Sequence, residues 1–188
     1  ILYRDGSGLQ RLAKPASDKF LQNTSGGVLS WESLSSDFVK IYGNDTPTSL
    51  AATHDYNGHF TSAYRTYKIF IHTETDTSGN AWYIRFASTG SYTYDTGSNY
   101  KYAYQWNSDS SNGVSQGTSQ GSIRHGWNGA GSTATHVNTE VTLYNPSDTS
   151  HAKHVQFQSV FWDNAVWGTS QGAGWWDNSQ AAATGIRF

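Results

Sequence analysis

From Val28 onward the apolar residues of this chain recur with a period of two and not of 3.6, the spacing of half-buried strands. Phe38-Val39-Lys40-Ile41-Tyr42, Tyr67-Lys68-Ile69-Phe70-Ile71-His72 and Trp82-Tyr83-Ile84-Arg85-Phe86 are short runs rich in β-branched and aromatic residues, which predicts a strand at each. Tyr100 to Trp106 puts four aromatics on one face. Glu140 to Tyr144 and Val155 to Trp162 follow, with Ile186 to Phe188 as a last strand. Turn-forming clusters separate the runs, among them residues 76–80, 88–91 and 95–99, where Gly, Asn, Asp and Ser each favour a reversal. The polar stretch from Asn107 to Gln120 reads as a long loop or a flexible excursion, and only residues 49–52 could manage a turn of helix. The fold expected is all-β, a sandwich or jelly-roll-like domain.

Ahead of it, Ile1 to Arg4 and Leu9 to Leu12 are two short runs joined by Asp5-Gly6-Ser7-Gly8, a hairpin by its turn chemistry. A lone two-stranded hairpin is marginal in water and must lean on a neighbour. Residues 1–31 are therefore expected to form a β-hairpin connector, and residues 32–188 the sandwich domain. The chain starts at Ile1, contains no Met, and ends on Gly185-Ile186-Arg187-Phe188, an alternation that reads as a strand cut short. The expectation is a segment of a longer polypeptide, truncated at its C-terminus.

Composition narrows the partners. Charged residues make up 14% of the chain, against roughly 25% in ordinary domains, so hydroxyls and amides keep the surface wet. A net charge of −2 without any Lys/Arg stripe argues against nucleic acid. The absence of cysteine removes disulfides, thiolate metal sites and cysteine nucleophiles. No run of about 18 apolar residues suggests a membrane span.

The string ILYRDGSGLQRLAK (Ile1 to Lys14), continued by Phe20-Leu21-Gln22-Asn23 and Gly26-Gly27 to Trp31, resembles a segment of tail-fibre and other virion structural proteins of bacteriophages, especially phages of marine bacteria and cyanobacteria. In those proteins it lies just upstream of an adhesive or structural β domain. The body is similar as well: Tyr64 to Ile71, Glu74 to Asn80, Trp82 to Tyr94 and Leu143-Tyr144-Asn145-Pro146-Ser147 follow the order of runs in that family. The resemblance implies a virion location, other virion proteins as partners, a homotrimer, and attachment to the host surface, with a glycan as the candidate receptor. A capsid decoration protein and a polysaccharide depolymerase or carbohydrate-binding module are the alternatives.

No catalytic constellation emerges. The seven histidines show no HExxH pattern; His54, His59, His151 and His154 read as imidazoles in loops or at strand entrances. Residues 74–80 are oxygen-rich but lack the calcium-loop spacing, and Asp95, Glu140 and Asp163 are carboxylates of which no pair is selected by spacing. Gly-x-Ser-x-Gly is absent. Asn23-Thr24-Ser25 and Asn44-Asp45-Thr46 fit the N-glycosylation tripeptide, which a bacterial host would leave bare. No enzyme activity, cofactor or metal site is expected. The aromatic excess is the one binding signal: Trp127, Trp167, Trp175 and Trp176, with Trp162 nearby, fall in or beside Gly- and Asn-rich loops, and Gly168, Gly172 and Gly174 are expected to leave the backbone around Trp167, Trp175 and Trp176 free to rise from the sandwich. Rings beside amides suit a sugar face, but packing in the core or between subunits is the stronger reading, since β domains bury Tyr and Trp routinely. Trp175 and Trp176 are adjacent, so they cannot both hide on one strand face.

Overall fold

The computed structural model describes the chain apart from residues 6, 18, 24, 33–37, 44–52, 76–80, 89, 127–134, 164–165 and 179, and describes the backbone alone at Arg4, Asp5, Thr75, Thr135 and Asp163. Two compact units result, Ile1–Gly43 and Asn44–Phe188. The expected helical turn at 49–52 and the turn at 76–80 lie outside the described residues. No helix occurs among the rest, and hence none long and apolar enough to cross a membrane.

The first unit holds two hairpins. Strand β1 (Leu2–Asp5) pairs antiparallel with β2 (Gly8–Arg11), Leu2 opposite Arg11. The tight return works because Gly8 adopts φ +118°, a region closed to residues with a Cβ. Strand β3 (Phe20–Asn23) pairs with β4 (Leu29–Glu32), and the Trp31 Nε1–H donates to the Ala13 carbonyl at 2.6 Å. Ile1, Leu2, Leu9, Phe20 and Leu21 remain exposed. The strand expected at Phe38–Tyr42 does not form; an alternating run becomes a strand only where a ladder receives it, and this one enters none.

The second unit is a sandwich of two open antiparallel sheets. Its strands are β5 (Asp55–Asn57), β6 (Thr66–Thr75), β7 (Tyr83–Ala87), β8 (Tyr100–Ser108), β9 (Asn112–Gln120), β10 (Ile123–Arg124), β11 (Thr135–Tyr144), β12 (Lys153–Asp163), β13 (Val166–Trp176) and β14 (Gly185–Arg187). The small sheet runs β10-β7-β14-β5 and the large one β6-β11-β12-β13-β8-β9. Period-two alternation sends Ile84, Phe86, Ile123 and Ile186 from the small sheet against Tyr67, Ile71, Val141, Leu143, Val155, Phe157, Tyr100, Tyr104 and Trp176 from the large one. Apolar area removed from water on both inner faces drives this packing. The end of the core is more polar: Thr139 and Ser159 hydroxyls meet at 2.9 Å, and the Ser170 hydroxyl donates to the His125 carbonyl at 3.0 Å.

Two stretches expected as loops are strands. Asn112–Gln120, inside the supposed loop, is edge strand β9, and its inward positions Gly113 and Gly117 sit beneath aromatic rings of β8. A Cβ at either would come within 2.8 Å of Trp106 or Tyr102. The rings of β8 thus supply the apolar cover that β9 lacks, which is why β9 shows no apolar alternation of its own.

The second correction concerns Gly168, Gly172 and Gly174. They do not free a loop but line the inner face of β13, next to the centre of the large sheet. A Cβ at Gly174 would stand 2.7 Å from Ile123 Cγ2, one at Gly168 2.5 Å from Phe161 Cζ, and one at Gly172 would collide with Tyr104. Here glycine makes room for large neighbours.

Candidate functional site

Alternation that fills the core also decorates the opposite face of the large sheet, and register turns that face into a lattice of rows crossing the strands. The central row runs Phe70, Glu140, Gln158, Gln171, Gln105, Val114 from β6 to β9. Beside it runs Lys68, Thr142, Gln156, Ala173, Ala103, Gln116. Five glutamines thus gather around two alanines. The short Ala103 and Ala173 side chains leave a shallow trough of about 810 Å³ walled by the longer amides. Glu140 is ion-paired to Lys68 across β11 and β6, so the trough is close to neutral and rich in donors and acceptors.

Aromatic residues stand at both ends. Towards one end Tyr144, His154, Trp175 and Lys101 form a row; His154 stacks on Trp175 with centroids 5.9 Å apart, and Lys101 Nζ lies 5.1 Å from the same ring. Flanked from both neighbouring strands, the Trp175 ring is 41% exposed. At the other end Trp162 and Trp167 are directly opposed on β12 and β13, 49% and 55% exposed.

The sequence candidates separate accordingly. Trp167 and Trp175 are on this outer face, whereas Trp127 lies outside the described residues. Trp176 is a correction: it turns inward, 1% exposed, stacked against Phe86 at 5.3 Å, with its Nε1–H donating to Asp95 Oδ2 at 2.6 Å. No ligand reaches that ring. Asp95 is likewise structural. Burial pushes its carboxyl up, but hydrogen bonds from Trp176, Asn99 and the Gly97 amide outweigh it and hold the group below its ordinary value. Among the remaining candidates, His151 Nδ1 pairs with Asp148 at 3.0 Å, His54 exchanges backbone hydrogen bonds with Phe188, and the Asp163 side chain is not described.

Two groupings were not anticipated. The glutamine rows could be glimpsed in Gln156 and Gln158, which alternate with Val155 and Phe157, but their alignment with Gln105 and Gln171 depends on pairing between distant segments. The second is a corner cluster of His72 and Glu74 on β6 with His136 on β11, whose ligand atoms lie within 4.8 Å of one another. His72-x-Glu74 on one strand face was its sequence signal.

The geometry defines an all-β sandwich with a polar, aromatic-edged sheet face. In comparison with known proteins, the chain matches no family model, no curated protein and no solved structure.

Proposed function

We propose that this chain is a binding domain of a bacteriophage appendage, a tail fibre or similar virion structural protein, which grips a host-surface glycan on the outer face of its large sheet and does no chemistry on it. The phage assignment rests on the resemblance of Ile1 to Lys14 and of the order of strands. The observation that carries the glycan is the trough: five glutamine side chains around a floor of alanines, with exposed Trp167 and Trp175 beyond its ends. Amides match sugar hydroxyls as donor and acceptor at once, while indole faces cover the apolar faces of pyranose rings. Low charge suits a neutral or weakly charged polysaccharide.

Binding of the chain to polysaccharides from candidate host surfaces tests this. Gln171→Ala and Trp167→Ala are each expected to weaken binding by about 1–3 kcal/mol, the range for a hot-spot contact, with the melting temperature nearly unchanged because both residues face solvent. No reducing ends should be released by the wild-type chain. Retained affinity in both variants would place the glycan elsewhere, and release of sugar would favour the depolymerase.

Self-association follows from exposed apolar surface, and three copies are the assembly the resemblance to phage fibres implies. Ile1, Leu2, Leu9, Phe20 and Leu21 are exposed in the first unit, more apolar surface than a pair of hairpins keeps in water without a partner. Light scattering should therefore give three times the chain mass at micromolar concentration, falling to one when Leu2 and Leu9 are both replaced by Ser. A wild-type monomer would end the trimer proposal.

A further inference from the structure

We propose that His72, Glu74 and His136 form a binding site for a borderline transition-metal ion, zinc first among them, at the corner of the outer sheet face. Glu74 and His136 are directly opposed across β6 and β11, as are His72 and Asn138 two positions further along. All four point to the outer face. Their placement is a square set by the sheet itself, two rungs of one ladder, so the donors are gathered by backbone register before any ion arrives.

Donor atoms converge on one carboxylate oxygen. Glu74 Oε1 is 3.2 Å from His136 Nδ1 and 3.4 Å from His72 Nε2. Ligands held 2.0–2.1 Å from a tetrahedral ion are separated by about 3.3 Å, so two edges of the ligand triangle are already in place. The third is at most 4.8 Å, and the exposed rings are free to close it by small side-chain rotations. The imidazole planes lie nearly parallel, 28° apart with centroids at 6.4 Å.

Asn138 completes the arrangement. Its Oδ1 is 2.7 Å from His72 Nδ1; an amide oxygen only accepts, so Nδ1 carries a proton, and Nε2, facing Glu74, is the nitrogen left for an ion that displaces any proton there. A histidine ligand whose second nitrogen donates to a carbonyl-type oxygen is the usual outer-shell device of metal centres, fixing tautomer and ring angle. Two imidazoles and one carboxylate suit zinc, nickel or copper ions over calcium or magnesium, which favour all-oxygen sites. Three protein donors leave coordination positions to water or an outside ligand, and the next residues on the Glu74–His136 rung are Trp162 and Trp167.

Titration calorimetry of the 188-residue chain with zinc chloride at pH 7.5 tests the site. One ion per chain is expected. His72→Ala and His136→Ala should each weaken binding tenfold or more, and Asn138→Leu by about 10–100-fold, as for loss of an outer-shell partner, while His154→Ala leaves it unchanged. Saturating zinc should raise the melting temperature of the wild type and of His154→Ala but not of the His72→Ala/His136→Ala double variant. The targeted side chains are exposed, so the variants retain the fold. Absence of saturable zinc binding in the wild type, or equal affinity in the double variant, overturns the proposal. The outcome is independent of glycan binding.

Discussion

Replacing Trp176 by Ala is expected to cost roughly 3–5 kcal/mol of unfolding free energy, the range for deleting a buried Trp. The ring is sandwiched between the sheets, stacked on Phe86 and on Tyr100 at 5.3 and 6.3 Å, and its loss leaves Asp95 without the indole donor that helps hold its carboxylate in a half-buried position. The neighbouring Trp175→Ala change should cost well under half as much, since that ring meets solvent. Urea unfolding of the two variants side by side separates them. Comparable losses at both positions would mean that β13 does not present alternate faces as described.

Acid should destabilise the second unit well before its carboxylates titrate. His125 is fully buried, packed edge-on against Phe157 at 5.9 Å and Phe188 at 6.2 Å, and neither ring nitrogen meets a hydrogen-bond partner among the described residues. Burial pushes its pKa down to about 3, whereas the unfolded chain takes up the proton near 6.5. The unfolded state therefore binds more protons throughout that interval, and stability, intact above pH 6.5, falls as the pH is lowered towards 3.

The slope is about 1.4 kcal/mol per pH unit, or about 3 kcal/mol between pH 7 and 4. His72 shifts the other way, raised by its bonds to Asn138 and Glu74, but it is exposed and offsets little. In His125→Phe the loss between pH 7 and 4 should shrink by about 3 kcal/mol, whatever the variant's stability at pH 7. Parallel pH profiles for the two proteins would refute this account.

Much of the sandwich is legible in the sequence because its buried rows are aromatic or β-branched. Tyr100, Tyr102, Tyr104 and Trp106 announce β8, Val155, Phe157 and Phe161 announce β12, and both alternations send the expected residues inward. Adjacent Trp175 and Trp176 imply that one ring leaves the core, though not which; the inward row of β13 decides in favour of Trp176. Strand β9 and the glycine-rich middle of β13 escape notice because the apolar atoms covering their inner faces belong to other strands. Conversely, Phe38 to Tyr42 has the pattern of a strand and no ladder to join.

The candidate sites are less legible for a related reason. Each is an alignment of single residues drawn from several strands, as in Glu140, Gln158, Gln171 and Gln105, or His72 and His136. Local composition carries the residue types, but register is a property of pairs of distant segments.

Strict alternation along the central strands has a further effect on how such a domain can diversify. Gln158 and Gln171 project away from Ser159 and Ser170, their inward-facing neighbours, so exchanging one residue for another on the outer rows changes the exposed surface while the interior keeps its shape. On the proposed function, new specificities would accumulate one substitution at a time over an unchanged scaffold. Evolutionary freedom is narrowest at Gly168, Gly172 and Gly174, where a Cβ would collide with Phe161, Tyr104 or Ile123, and widest on the outer face one residue to either side of them.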